Sequence, residues 1–260
     1  MKMTVVVIGF KNFPIFVYPL RQNMSKGKLF LIPTILAENT ADKVISPQIK
    51  DTVKNLSYYL VENVRTARRY ISSLRLGLII EELKFEVLDK STKGAELERI
   101  MKPLFAGEDV GVMSEAGCPG IADPGSAAVA YAHGKGIKVV PLSGPSSMFL
   151  ALMGSGFNGQ SFAFQGYLPI DKHDRIQAIK SLETDSAKNN RTQIFMETPF
   201  RNNHLMEDLK GTLQPDTKLC IAKNVTGPDE LILTKPISEW RKSQLDLHKI
   251  PVVFILYSGN

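Results

Sequence analysis

The 260-residue chain is 43% hydrophobic and 22% charged, which describes a soluble globular protein with core enough for one large domain or two ordinary ones. Its two cysteines, Cys118 and Cys220, lie far apart without metal-ligand spacing, so a reducing cytoplasm is the expected compartment. The net charge of +6 is a mild basic excess that tolerates an RNA partner without implying one, and Lys2, Lys11 and Arg21 supply part of it from a first stretch without acids.

Thr4–Phe10 is apolar, but Lys11-Asn12 interrupts it and Pro14 and Pro19 follow. No uninterrupted run reaches the roughly 20 residues of a membrane helix. Val17-Tyr18-Pro19-Leu20-Arg21 offers no small-residue cleavage site, so neither an anchor nor a signal peptide is expected.

From Lys28 strands alternate with helices. Leu29–Pro33 reads as a strand; Ile49, Val53 and Leu56 sit at helical spacing; Tyr58–Val61 is strand-like; Val64, Ile71 and Leu74 mark another helix. Lys84–Leu88 follows as a strand, Ala95–Phe105 as a helix and Asp109–Met113 as a short buried strand. Such alternation implies an α/β sheet.

Next comes Ser114-Glu115-Ala116-Gly117-Cys118-Pro119-Gly120-Ile121-Ala122-Asp123-Pro124-Gly125. Its glycines and prolines can form a loop that exposes backbone N–H groups, and Pro124 suits the first turn of a helix ended by Gly134 and Gly136. A strand, a Gly-rich turn and a helix N-terminus make a cofactor crevice in an open α/β sheet. Spacing alone also fits a tight turn with two proline stops.

After Lys138–Leu142 comes Ser143-Gly144-Pro145-Ser146-Ser147, and an apolar helix over Met148–Met153 follows it. A domain boundary is expected near Ser143. Beyond it, strands are expected at 162–165, 193–196, 219–222, 230–233 and 252–256, and helices at 172–182, 201–209 and 238–244. They suggest a mixed or antiparallel sheet.

The 114–125 stretch closely resembles the Asp-Ala-Gly-Thr-Pro-Gly-Ile-Ser-Asp-Pro-Gly signature of the tetrapyrrole methylase superfamily. The nearest branch is the one that 2′-O-methylates a cytidine ribose in small-subunit ribosomal RNA. Leu142–Ser147 is similar to the family's Pro-Gly-Pro-Ser-Ala segment, Ala151–Gly156 to its Ala-Leu-x-x-Ser-Gly, Phe162–Pro169 to its Phe-x-Phe-x-Gly-Phe-Leu-Pro, and Glu197–Arg201 to its Glu-Ser-Pro-His-Arg. The resemblance runs from about Lys28 to Leu256. Family members begin with a strand equivalent to Lys28–Ile32, so residues 1–27 are read as an extension from an upstream start codon, with Met24 the functional initiator.

The resemblance implies two α/β domains, 28–143 and 144–260, with S-adenosylmethionine in the cleft between them. It assigns cofactor binding to Pro33, Glu115, Ala116, Gly117, Cys118, Pro119, Gly120, Ile121, Ala122, Asp123, Ser143, Gly144, Pro145 and Ser146. Asp123 is also a candidate cap for the following helix, and Ser143–Ser146 either hold the adenosine or cap theirs. The implied partner is small-subunit ribosomal RNA, and the implied assembly is a homodimer in the cytoplasm, away from membranes.

The first half departs from the pattern. Pro33-Thr34-Ile35-Leu36-Ala37-Glu38-Asn39 replaces Pro-Thr-Pro-Ile-Gly-Asn, losing a glycine. Asn63 replaces the carboxylate of Ala-Glu-Asp-Thr-Arg, both histidines of a His-Glu-His-Asn cluster are missing around Phe85, and Asn224-Val225-Thr226-Gly227 replaces Glu-Leu-Thr-Lys. A ribose hydroxyl is a poor nucleophile and benefits from a nearby base. Glu62 and Arg65 are the acceptor-side candidates, against an ordinary salt-bridging helix start; Arg65, Arg68 and Arg69 make either a phosphate-contacting strip or a solvated face. No metal is expected of His133, His173, His204 and His248, which are scattered. A small-molecule acceptor such as a tetrapyrrole, or a degenerate binding protein without catalysis, are the alternatives.

Overall fold

The computed structural model describes residues 25–259; the 1–23 stretch and the start at Met24 lie outside them. The first five strands, β1 (Leu29–Leu31), β2 (Tyr58–Val61), β3 (Lys84–Val87), β4 (Val110–Met113) and β5 (Val139–Pro141), form one sheet in the order β3-β2-β4-β1-β5. Every pairing in it is parallel. A parallel sheet is covered on both faces, which is why Tyr58-Tyr59-Leu60-Val61 and Val110-Gly111-Val112-Met113 read as unbroken apolar runs and are buried throughout. Gly111 is required by crowding: a Cβ there would lie 2.7 Å from Ile32 Cδ1 and 2.9 Å from Tyr59 Cδ1.

The helices of this half are α1 (Ala41–Val44), α2 (Pro47–Lys54), α3 (Val64–Ser73), α4 (Ala95–Ile100) and α5 (Gly125–Gly134). The helix expected over 95–105 divides into α4 and a separate 3-10 turn, Lys102–Ala106, because Pro103 has no N–H to continue the α-helical ladder. Helix α5 begins at Gly125, with Pro124 at its cap position.

The second sheet holds β6 (Phe162–Tyr167), β7 (Thr192–Met196), β8 (Lys218–Lys223), β9 (Leu231–Pro236) and β10 (Val252–Tyr257) in the order β6-β7-β10-β8-β9. It is mixed: β6 runs parallel to β7 and the other neighbours are antiparallel. Helices α6 (Ser147–Ser155), α7 (Lys172–Asn189), α8 (Asn202–Thr212) and α9 (Ile237–Trp240) accompany it. Helix α7 runs to Asn189 instead of Leu182, because Ser186 is buried and Asn190 supplies the left-handed residue that stops it. The helix expected at 238–244 is the single turn α9.

One face of this sheet buries Ile179, Leu205, Leu209, Trp240 and the stacked pair Phe195 and Phe254, whose ring centroids are 5.8 Å apart. The other face buries Ala151 and Leu152 of α6 against Ile194, Cys220, Val253 and Ile255, and Leu36 of the first half packs there too. Among the described residues no helix is long and apolar enough to cross a membrane.

Candidate active site

All strands of the first sheet point the same way, so the segments after β1, β2, β4 and β5 emerge at one edge. Ligands of open α/β sheets bind outside such carboxyl ends. A cleft of about 450 Å³ opens there, walled by the loop after β4 on one side and by the ends of β7, β8 and β10 on the other.

Asp123 folds the loop. Its Oδ1 accepts the N–H of Gly120 at 2.8 Å and of Gly125 at 2.7 Å, and its Oδ2 accepts Gly120 N–H at 2.9 Å. It therefore satisfies the first helical amide of α5, as a cap would, and also cinches the turn before it. Gly117 (φ 75) and Gly120 (φ 87) take left-handed conformations that need glycine, and Ala122 (φ 64) takes one without it. Thr34 N–H donates to Gly117 O at 2.9 Å, tying the segment after β1 to the loop.

Of the residues expected to bind the cofactor, Glu115, Ala116, Gly117, Cys118, Ile121, Ala122, Asp123 and Ser146 line the cleft. Pro33, Pro119, Gly120, Ser143, Gly144 and Pro145 are not among its lining residues. Several of these build its supports instead. Pro33 and Pro119 are buried, and a Cβ on Gly144 would lie 2.3 Å from Pro33 Cβ, so the segments after β1 and β5 approach as closely as glycine permits. The Cys118 thiol donates to Pro145 O at 3.4 Å, and burial, helped by the Asp123 charge, pushes it above the ordinary thiol value. A thiol so held is no nucleophile. Ser146 makes no side-chain capping bond to α6.

Glu62, at the end of β2, lines the cleft, and its Oε1 accepts the N–H of Glu115 at 3.2 Å. Burial, reinforced by the charges of Asp123 and Glu115, holds its carboxyl above the ordinary glutamate value, while the Glu115 amide pulls the other way. Arg65 is exposed and is not among the residues that line the cleft. The amide at Asn63 keeps a structural role: its Oδ1 caps α3 by accepting the N–H groups of Arg65 and Thr66 at 2.9 and 3.3 Å, which Asn does as well as Asp. Ala37 is not among the residues with positive φ, so the conformation of this segment does not require glycine there.

More than half of the cleft's lining was not assigned from sequence. Tyr167, Met196, Glu197, Pro199, Ala222, Val225 and Pro251–Val253 complete it from the second sheet. Glu197 is buried, and its Oε1 accepts from Arg201 Nη2 and Thr198 N–H, both at 2.6 Å. Its motif, Glu197–Arg201, is visible in the sequence as a carboxylate, a proline and an arginine after a strand. The cleft thus joins four carboxylates, Glu62, Glu115, Asp123 and Glu197, to an apolar wall of Leu36, Met148, Val225 and Val253. Its volume suits a nucleoside-sized ligand; Glu197 is neutralised by Arg201 and Asp123 is held by the loop amides, so Glu62 and Glu115 are the carboxylates left to meet a cation.

The chain matches the sequence pattern of the Tetrapyrrole (Corrin/Porphyrin) Methylases over residues 39–240. It is 28% identical over 211 residues to a protein of Vibrio cholerae named ribosomal RNA small subunit methyltransferase I, covering 81% of this chain and 69% of that one. A protein of the same name from Synechocystis is 29% identical over 200 residues, 77% of this chain and 67% of the other. Among solved structures, diphthine synthase superposes with a TM-score of 0.63 at 15% identity, covering 88% of this chain and 89% of that one. Uroporphyrin-III C-methyl transferase from Thermus thermophilus, solved with S-adenyl homocysteine, superposes with a TM-score of 0.56 at 14% identity, covering 89% and 98%. These two likenesses establish a shared fold.

Proposed function

The chain belongs to the tetrapyrrole methylase family and is an S-adenosylmethionine-dependent methyltransferase, and we propose that its acceptor is a ribose 2′-hydroxyl of small-subunit ribosomal RNA. The observation that carries the reading is the cleft at the carboxyl ends of the first sheet, lined by Glu62, Glu115 and an apolar set from both halves of the chain. The names of the 28–29% identical relatives support RNA as the acceptor.

Bound there, S-adenosylmethionine supplies an electrophilic methyl carbon on a positively charged sulfur. Transfer in line needs little covalent help, so the protein contributes chiefly by alignment. Leu36, Met148, Val225 and Val253 offer the adenine an apolar seat, Ser146 and the loop amides offer hydrogen bonds, and the carboxylates complement the cation. Glu62 accepts the acceptor's hydroxyl proton on its carboxylate, and its position in a half-buried, acidic setting strengthens that affinity for a proton. Arg65 stands on the solvent side as a contact for the acceptor's approach.

The packing of α6 against β9 and β10 supports a domain boundary near Ser143. Phe149 and Met153 of α6 and Phe162 of the edge strand β6 are exposed together, with Phe149 and Phe162 in edge contact at 6.1 Å. This patch supports the homodimer and is its proposed interface; light scattering of Phe149→Ser, Met153→Ser tests it, a monomer being the expected result. Cytoplasmic residence belongs to the same reading.

Calorimetric titration of S-adenosylmethionine, then transfer of labelled methyl to small ribosomal subunits, tests the function. The expected product is a single phosphodiester made resistant to alkali by 2′-O-methylation. Label on a base, or on no RNA at all, refutes the proposed acceptor.

A further inference from the structure

Beside the cleft lies a second cavity of about 470 Å³. One wall is the segment after β1, Thr34–Asn39; the other is a stripe of α3, where Thr66, Arg69 and Ser73 recur at i, i+3 and i+7. Leu36, Glu115 and Ala116 line both cavities. A molecule seated in the second cavity therefore meets the occupant of the first across the start of the loop after β4, with Glu115 between them.

Two guanidinium groups belong to this wall, Arg69 and Arg75. Arg69 Nη2 pairs with Glu38 Oε1 at 3.2 Å, with side-chain exposures of 68% and 79%. So exposed a pair contributes little, and a competing anion can replace Glu38 readily. Arg75 follows α3 at φ 53, the left-handed position where helices usually place glycine. Of the other acids on the wall, Asp42 pairs with Lys50 at 3.0 Å and also lies within the field of Arg75, and Glu115 accepts from Thr66 Oγ1 at 3.4 Å.

We propose that the second cavity is the acceptor subsite: it holds the strand that carries the target nucleotide, whose ribose enters the cofactor cleft at Glu62, with Arg69, exchanged from Glu38, and Arg75 binding the flanking phosphates. Glu38 then acts as a stand-in anion that RNA displaces. The inference rests on the reading of the acceptor as RNA.

Co-sedimentation of the full chain with purified small ribosomal subunits over a salt series tests it, alongside calorimetry of S-adenosylmethionine. Arg69→Gln, Arg75→Gln is compared with Lys188→Gln, Lys242→Gln, which removes the same charge from exposed sites on the other half. The first pair is expected to weaken subunit binding roughly tenfold and to lower the salt slope by about two, leaving cofactor affinity unchanged. Glu38→Gln is expected to tighten binding by up to about fivefold, the ratio an exposed ion pair can supply. Equal losses in the two double variants, or no loss in either, overturn the subsite. Wild-type protein that binds cofactor yet never sediments with subunits overturns the ribosomal reading itself, and the subsite with it.

Discussion

Glu62 at the end of β2 and Glu115 at the start of the loop after β4 are joined by a hydrogen bond, the Glu115 N–H donating to Glu62 Oε1 at 3.2 Å. Strands β2 and β4 are neighbours in the sheet, so the bond links two adjacent carboxyl ends. Glu62 is thereby fixed in the cleft, and its proton affinity becomes a property of the loop it holds.

That affinity sets a pH dependence. A base held above the ordinary glutamate value, by burial first and then by Asp123 and Glu115, loses activity as pH falls through its raised value, earlier than an unperturbed glutamate would. Glu62→Gln should lower kcat about 10²-fold and abolish that limb of the profile, a larger loss than the fall in cofactor affinity expected from removing one of the charges that meet the cation.

Stability should move the opposite way. A carboxyl whose pKa rises on folding binds its proton more tightly folded than unfolded. It costs nothing below the unfolded value and costs stability once pH exceeds the raised one. Glu62→Gln is therefore expected to raise Tm at pH 7–8, with the gain vanishing in acid below the ordinary glutamate range. Thermal melts at several pH values check this, and a gain that persists in acid would contradict it.

Asp123 holds two amides with one carboxylate. Asp123→Ala leaves the Gly120 and Gly125 N–H groups without that partner and should cost about 2–3 kcal/mol in denaturant melts, the range for bonds to a charged group. The loop it cinches lines the cleft, so cofactor affinity measured by calorimetry should fall at least about tenfold. An intact Kd in the folded variant would mean that the loop keeps its shape without the carboxylate.

Two glycines offer a matched contrast. Gly144→Ala puts a methyl 2.3 Å from Pro33 Cβ and should force the segments after β1 and β5 apart, with loss of about 1–3 kcal/mol and of cofactor binding. Gly134→Ala, at the end of α5, meets nothing within 4 Å and should be neutral or stabilising by about 0.4–1 kcal/mol. Urea melts and calorimetry of both variants distinguish crowding from a general need for glycine.

Glu197 is a buried carboxylate held by Arg201 Nη2 and Thr198 N–H. Glu197→Ala strands both donors and should cost about 2 kcal/mol, with weaker cofactor binding; Glu197→Gln, which can still accept both bonds, should recover most of the stability but less of the affinity. Equal affinity in the Gln variant would assign Glu197 a structural part only.

By itself the sequence determined the class of fold and the place of the loop after β4. Strands of a parallel sheet, buried on both faces, leave continuous apolar runs such as 58–61 and 110–113, and a loop that must adopt left-handed conformations leaves glycines at 117 and 120. Both are local demands on residue type, and both are legible. Element lengths were less so: α7 runs on to Asn189 and the turn after α4 breaks away, because burial of Ser186 and the geometry at Pro103 override periodicity. Only the tertiary structure decided the composition of the site. The order β3-β2-β4-β1-β5 sets Glu62 beside Glu115 and leaves Arg65 in solvent, and the facing of the two sheets brings Glu197, Val225 and Val253 against the loop. The reason is physical: which strands pair, and which face meets which, follows from burying whole surfaces at once, and no short stretch of the chain encodes it.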